Sequence, residues 1–117
     1  MAEIRPRIGV KYHNNATIIT FTDEKILEET DIKALQESIM SVVEQAEQIN
    51  LILDFGHVGF LSSAVLGLLI RISKKIYEND GKLKLCNINP KIIEVFKITR
   101  LIKTFDIYAD VESAIEA

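Results

Sequence analysis

The chain has 117 residues, of which 48% are hydrophobic, and carries a net charge of −3, so we expect one domain with enough apolar material for a core. Its single cysteine excludes an internal disulfide and a cysteine-based zinc site, and it fits a reducing cytoplasm. The acidic balance argues against nucleic acid as the main partner, because neutralising phosphates requires clustered Lys and Arg.

The sequence shows no segment of the kind that crosses a membrane or directs secretion. Its longest stretch without Asp, Glu, Lys or Arg, residues 55–70, spans about 16 residues and includes a histidine and two serines, so it is too short and too polar for a bilayer. The opening MAEIRPRIGV lacks the apolar core of a signal peptide. His13 and His57 are far apart and show no metal-ligand spacing. We therefore expect no membrane span, no metal and a cytoplasmic location.

The chain starts with a lead-in over residues 1–7 and continues with two runs rich in β-branched residues, 8–12 and 16–21. The His-Asn-Asn segment over 13–15 is typical of a turn, because asparagine tolerates left-handed backbone angles. The two runs therefore predict an antiparallel hairpin. Residues 22–29 are mostly polar and indicate a connection to the next element.

Helices and strands alternate over the rest of the chain, which implies parallel βαβ units with right-handed crossovers. The predicted fold class is α/β: one domain over residues 8–117 with a mixed, mostly parallel sheet, an N-terminal antiparallel hairpin and about four helices. The predicted elements are a helix over 30–48, a strand over 51–53, a helix from 62 or 63 to about 78, a strand over 82–88, a helix over 90–99, a strand over 104–108 and a helix over 111–117.

The chain is organised around one strand–loop–helix corner. The apolar run 51–53 ends at Asp54 without alternation, which suits a strand buried on both faces. A loop over 55–61 follows, and its apolar side chains indicate core positions. Ser62 and Ser63 then precede an apolar run with helical spacing, where a serine hydroxyl can cap the helix by accepting an orphan N–H. We expect two exposed hydroxyls at the start of this helix.

The segment FLSSAVLG over residues 60–67, preceded by Asp54 and Val58, resembles the corresponding motif of the STAS domain, the family of anti-sigma factor antagonists. Residues 81–90 are similar to the family's fourth strand and the start of its third helix. The resemblance covers about residues 8–116 and implies a STAS fold and a regulatory protein that is not an enzyme.

The resemblance also implies a phosphorylation switch at Ser63, with Ser62 as the alternative site. In such members the unphosphorylated domain binds an anti-sigma factor that is also a serine kinase, and the sigma factor is released for transcription. The phosphorylated domain no longer binds, and a PP2C-type phosphatase resets this partner switching. A helix N-terminus stabilises a phosphate, whereas the same charge is costly in an apolar interface.

The chain departs from the pattern of phosphorylated members at four places. Ser62 stands where many have Asp, Val65 where they have Gly, Glu28 where an Asp is usual, and Arg100 where Gly is frequent. Val65 and the missing Asp are the best support for an alternative function, a STAS scaffold subunit of a signalling or lipid-transport assembly that is not phosphorylated. The residues predicted to contact a partner are Glu28, Asp54, His57, Val58, Ser62, Ser63, Val65 and Gly67.

Two features of the corner allow more than one interpretation. Gly67 lies four residues after Ser63 on the same helix face, and glycine inside a helix costs about 1 kcal/mol relative to alanine. Either tight packing of the helix on the sheet or close approach of a partner's backbone would account for it. Separately, Gly56 and Gly59 form only a weak phosphate-loop signal, so nucleotide binding is a minor alternative and no cofactor is predicted.

An enzymatic alternative comes from Asp54, His57 and the two serines, which have the residue types of a nucleophilic triad. These residues lie close together in sequence, along one strand end and one loop, which makes the convergent geometry of a triad difficult. No G-x-S-x-G elbow surrounds either serine. We therefore predict a protein that is not an enzyme, in which Asp54 is a strand-end residue that bonds loop N–H groups and His57 is a surface residue of the loop.

Overall fold

A computed structural model of the chain describes residues 8–117, and the lead-in predicted over residues 1–7 lies outside them. Within the described residues, strands and helices follow one another largely as predicted. The strands are β1 (Ile8–His13), β2 (Ala16–Phe21), β3 (Lys25–Ile26), β4 (Asn50–Asp54), β5 (Phe60–Leu61), β6 (Lys82–Cys86) and β7 (Asp106–Tyr108), and the helices are α1 (Glu29–Glu44), α2 (Ser63–Glu78), α3 (Pro90–Ile98) and α4 (Val111–Glu116).

The main sheet has five strands in the order β1-β2-β4-β6-β7. β1 pairs with β2 in antiparallel orientation, and the other neighbouring strands pair in parallel. Asn14, in the turn between β1 and β2, has a left-handed φ of 55°, as expected of asparagine in a tight turn. The predicted α/β fold, with its mixed sheet, N-terminal hairpin and four helices, is confirmed.

Successive side chains of a strand point to opposite faces of the sheet, and helices cover both faces. On one face, Leu51 and Leu53 of β4 belong to a large core with residues of α1, α2 and α3, among them Leu69. On the other face, Ile52 belongs to a smaller core with Ala114 of α4. All three β4 side chains are fully buried, as the unbroken apolar run predicted.

Lys84 of β6 anchors α4 to this second face. Its side chain is buried, and its Nζ donates hydrogen bonds to the carbonyl oxygens of Ala114 at 2.9 Å and Ala117 at 3.0 Å. The ammonium also lies 5.9 Å from the centre of the Tyr108 ring. A cation at the C-terminal end of a helix is favourable because the carbonyl groups there carry partial negative charge.

Two short strands form a second sheet that the sequence did not predict. β3 and β5 pair in parallel, so the expectation of a plain connection over 22–29 and a plain loop over 55–61 is wrong at these positions. Each strand has only two residues, which is too short for any alternation to be visible. Their pairing depends on contact between segments that are far apart in the chain.

The end of α1 also differs from the prediction. α1 ends at Glu44 and not at residue 48, because Val43 is the last buried residue of its apolar stripe and Ala46 is exposed. Gln48 has a left-handed φ of 54° and donates its N–H to the carbonyl of Asn79 at 3.1 Å. This bond directs the chain away from the helix axis and into β4.

β6 and β7 are shorter than predicted as well. β6 ends at Cys86 because Asn87 has a left-handed φ of 56°, which is incompatible with an extended strand. β7 begins only at Asp106, since Leu101–Lys103 form a short 3₁₀ helix.

Candidate functional site

Asp54 holds the loop between β4 and α2. Its Oδ1 accepts a hydrogen bond from the N–H of Gly56 at 2.9 Å and another from the Asn87 side chain, Nδ2, at 3.0 Å. The first bond confirms that Asp54 binds a loop N–H group from the end of its strand. The second bond links the ends of β4 and β6, so the carboxylate positions the loop.

The second sheet positions the start of α2. The carbonyl oxygen of Glu24 accepts from the N–H groups of Gly59 at 2.8 Å and Phe60 at 3.1 Å, and the Ser62 N–H donates to the carbonyl of Ile26 at 3.0 Å. These bonds attach the chain on both sides of β5 to the segment around β3. Hydrogen bonds therefore fix the loop that precedes the two serines.

The two serine hydroxyls have different surroundings. Ser62 is the residue before the first turn of α2, yet its side chain makes no capping hydrogen bond; its Oγ is buried and has no partner within residues 8–117. Its carbonyl accepts the N–H of Val65 at 3.0 Å instead. Ser63 is the first residue of α2 and is exposed. The prediction of two exposed hydroxyls with a capping bond is therefore wrong for Ser62.

Exposed apolar side chains lie near Ser63. Leu27 is 50% exposed, Phe60 is 47% exposed and Ile70 is 44% exposed. Phe60 precedes Ser63 by three residues, and Ile70 follows it by seven, which places it two turns further along the same side of α2. The assignment of Phe60 to the core is thus wrong. We refer to Leu27, Phe60, Ser63, Gly67 and Ile70 as the Ser63 surface.

A groove of about 700 Å³ lies between α1 and α2, and Ser62, Ala64 and Gly67 form part of its lining. A Cβ atom added to Gly67 would meet a single neighbouring group, the Arg71 guanidinium, with Nη1 at 3.6 Å. Gly67 therefore faces open space, and tight packing on the sheet does not explain it. Arg71 reaches across the groove and donates from Nη2 to Oε1 of Gln36 on α1 at 3.1 Å.

The remaining predicted contact residues divide into exposed and buried ones. Glu28 and His57 are exposed, but His57 lines a different hollow, beside Thr22 and β1. Val58 is 3% exposed and Val65 is 1% exposed. Their side chains belong to the core and cannot touch a partner, so these two are withdrawn from the predicted contact set.

The arrangement lacks the contacts of a catalytic triad. Within residues 8–117 no hydrogen bond joins His57 to either serine, and the Oδ1 atom of Asp54 is bound to Gly56 and Asn87. The described part of the chain contains no group of three or more His, Cys, Asp or Glu residues that could hold a metal ion. None of the described helices combines the length and apolar character needed to cross a membrane.

Cys86 lies beside this corner at the end of β6 and is fully buried. Burial, followed by the negative charges of Asp54 and Asp110, raises the pKa of the Cys86 thiol to about 12. The thiol therefore keeps its proton at neutral pH and is a poor nucleophile, since the thiolate is the reactive form.

The comparisons with known proteins agree with the sequence motif and the fold. The family model described as the STAS domain matches residues 2–114. The chain belongs to the STAS domain family. Among curated relatives, this STAS domain is 26% identical over 109 residues to the anti-sigma-B factor antagonist of Bacillus subtilis, an alignment that covers 93% of this chain and 96% of the relative.

Solved structures share the fold of this STAS domain. An anti-sigma-factor antagonist (STAS) domain protein from Planctomyces limnophilus has a TM-score of 0.84 at 24% identity, with coverage of 92% of this chain and 93% of that one. The Bacillus cell fate determinant SpoIIAA in its phosphorylated form has a TM-score of 0.70 at 18% identity, with coverage of 93% and 96%. At these identities the likeness establishes the fold alone.

The structure also locates the departures of this STAS domain from the expected pattern. Val65 points into the core, so its side chain does not alter the surface beside Ser63. Arg100 has a left-handed φ of 63°, a conformation that favours the glycine expected there. Leu27, Phe60 and Arg71 were not predicted from the sequence as site residues. Leu27 and Arg71 are identified by the groove that they line together with Ser62, and Phe60 by its exposed position three residues before Ser63.

Proposed function

We propose that this STAS domain is an anti-sigma factor antagonist that binds an anti-sigma factor through the Ser63 surface and releases it when Ser63 is phosphorylated. The observation that carries the proposal is the exposure of Ser63 at the first position of α2, between exposed apolar side chains, while the neighbouring Ser62 hydroxyl is buried. The name of the Bacillus subtilis relative supports the proposed class of function.

The exposed apolar residues give such a surface its affinity. Leu27, Phe60 and Ile70 are about half exposed, and covering them with a partner removes apolar area from water. Gly67 leaves open space one turn after Ser63, which allows a partner's backbone to come close to α2. Asp54 contributes indirectly in this proposal, by holding the loop that leads to the surface.

Phosphorylation would end binding through charge. A phosphoserine carries about −1.5 to −2 charges at neutral pH. At the N-terminus of α2 this charge is tolerated in the free domain because the first N–H groups of a helix carry partial positive charge. Covered by an apolar partner surface, the same phosphate would lose its water at a high free-energy cost. The switch therefore needs no change of fold.

The proposed partners are an anti-sigma factor with serine kinase activity and a PP2C-type phosphatase that restores the unmodified serine, both in the cytoplasm. The surface around Ser63 supports a protein partner in preference to nucleic acid, because it combines apolar side chains with a net charge of −3 over the chain. We further propose that the domain itself catalyses no reaction, since its serines lack a hydrogen-bonded base within the described residues.

The test is phosphopeptide mapping of the protein purified from its own cells and after incubation with candidate kinases. We expect one phosphate on Ser63, its loss in Ser63→Ala, and its retention in the matched Ser62→Ala variant. Phosphate on Ser62 alone would contradict the site. Absence of phosphate under every condition, together with stable association in a larger assembly, would favour the scaffold alternative.

A further inference from the structure

Ser63, Gly67 and Arg71 occupy successive turns of one face of α2. They are four residues apart, and residues with this spacing lie above one another on a helix. Long side chains on a helix lean toward its N-terminus, and Arg71 does so, because its Nη1 lies only 3.6 Å from the Cβ position of residue 67. The guanidinium therefore lies beside residue 67, about one helical turn from Ser63.

A phosphate on Ser63 would span most of the distance that remains between Ser63 and the Arg71 guanidinium. Cβ atoms four residues apart on a helix are about 5–6 Å from each other, so Nη1, at 3.6 Å from the Cβ position of residue 67, lies at most about 9.6 Å from Cβ of Ser63. The terminal oxygens of a phosphoserine extend about 4 Å from its own Cβ, and a charge-assisted hydrogen bond spans about 2.8 Å more. A shift of at most about 3 Å by the exposed Arg71 side chain closes the distance.

The Arg71 guanidinium is only weakly held in its position. Within residues 8–117, Arg71 makes one side-chain hydrogen bond, from Nη2 to the neutral amide oxygen of Gln36 at 3.1 Å. The charged side chains that line the same groove are those of Glu29, Lys33 and Glu37 on α1. A doubly charged phosphate accepts stronger hydrogen bonds from a guanidinium than a neutral amide does.

We propose that Arg71 binds the phosphate of a phosphoserine at position 63, releasing Gln36 and moving over Gly67. The inference rests on the proposed phosphorylation of Ser63 and adds an intramolecular phosphate-binding residue to it. The phosphate then acts in two ways. It brings negative charge to the Ser63 surface, and it draws the Arg71 side chain further into the space above Gly67 that a partner's backbone would otherwise use.

The test installs phosphoserine at position 63 during translation and follows its second ionisation by ³¹P NMR at about 0.15 M salt, where the Debye length is about 8 Å. We expect Arg71→Ala to raise the pKa of the phosphate, ordinarily near 6, by about 0.3–0.7 unit, the size of a solvent-exposed ion pair. Arg71→Lys keeps the charge and should recover part of the shift.

Lys74→Ala is the matched control, because Lys74 is exposed on the same helix but lies about 16 Å from Ser63, beyond the screening length. It should move the phosphate pKa by less than about 0.1 unit. Equal effects of Arg71→Ala and Lys74→Ala would overturn the role of Arg71. Since the phosphoserine is encoded, this result is independent of whether any kinase modifies Ser63, which the phosphopeptide mapping decides.

Discussion

Gly81 lies so close to Ile49 that a Cβ atom on residue 81 would come within 2.6 Å of the Ile49 carbonyl oxygen. The same Cβ atom would lie 2.8 Å from Cγ2 of Ile76, which is fully buried. The Ile49 carbonyl also accepts the N–H of Lys82 at 2.7 Å, so it cannot move without breaking a bond at the start of β6. The segment between α2 and β6 therefore packs directly against the backbone of the segment that leads into β4.

Gly81→Ala should destabilise the domain by about 1–3 kcal/mol, the range for inserting a methyl group into a filled core. Urea unfolding followed by circular dichroism measures the effect. Because both obstructing atoms belong to the core or to its backbone, the clash cannot be relieved by a flexible side chain. An unchanged unfolding midpoint would contradict the close packing of these two segments.

Gly67→Ala should stabilise the domain, in contrast to Gly81→Ala. Its methyl group would meet only Arg71 Nη1, at the ordinary contact distance of 3.6 Å, and alanine is a better helix former than glycine by about 0.5–1 kcal/mol. We expect a gain in stability of about that size, together with roughly three- to tenfold weaker binding of the partner if its backbone approaches residue 67. Stability and affinity that rise together would argue against the close approach.

Phe60→Ser should weaken binding of an anti-sigma factor partner by about tenfold or more, as truncation of an aromatic side chain in an interface does. The matched control is Tyr77→Ser, since Tyr77 has a similar exposure of 49% but lies about 21 Å along α2 from Ser63. Titration calorimetry of both variants gives the comparison. Equal losses would show that the partner does not bind specifically at the Ser63 surface.

The buried thiol predicts a loss of stability at alkaline pH. The pKa of Cys86 is about 12 in the folded domain, against an ordinary value of 9.0, so the unfolded chain gives up this proton first as the pH rises. Below pH 9 the thiol is protonated in both states, and the contribution to stability is fully present. Between about pH 9 and 12 the free energy of unfolding should fall by up to about 1.4 kcal/mol per pH unit.

Cys86→Ala is the control for this prediction, because other groups titrate in the same range. The difference in unfolding free energy between wild type and variant should be constant below pH 9 and should change progressively above it. A difference that stays constant up to pH 11 would show that the thiol is not held in its protonated form by the fold.

Local patterns were sufficient to predict the fold class and the region of the site. The unbroken apolar run 51–53 predicted a strand buried on both faces, and β4 confirms it. The acid at its end predicted a bond to a loop N–H, and Asp54 makes that bond with Gly56. Such features depend on residues that are near one another in the chain, so periodicity and residue type carry the information.

The tertiary structure alone decided the chemistry available at the site. Ser62 and Ser63 have identical side chains and adjacent positions, yet one hydroxyl is buried and the other residue is exposed. Gly67 and Gly81 likewise differ only in their surroundings, open space in one case and the Ile49 backbone in the other. Exposure depends on which distant segments pack against a residue, and the pairing of two-residue strands such as β3 and β5 leaves no periodic trace in the sequence.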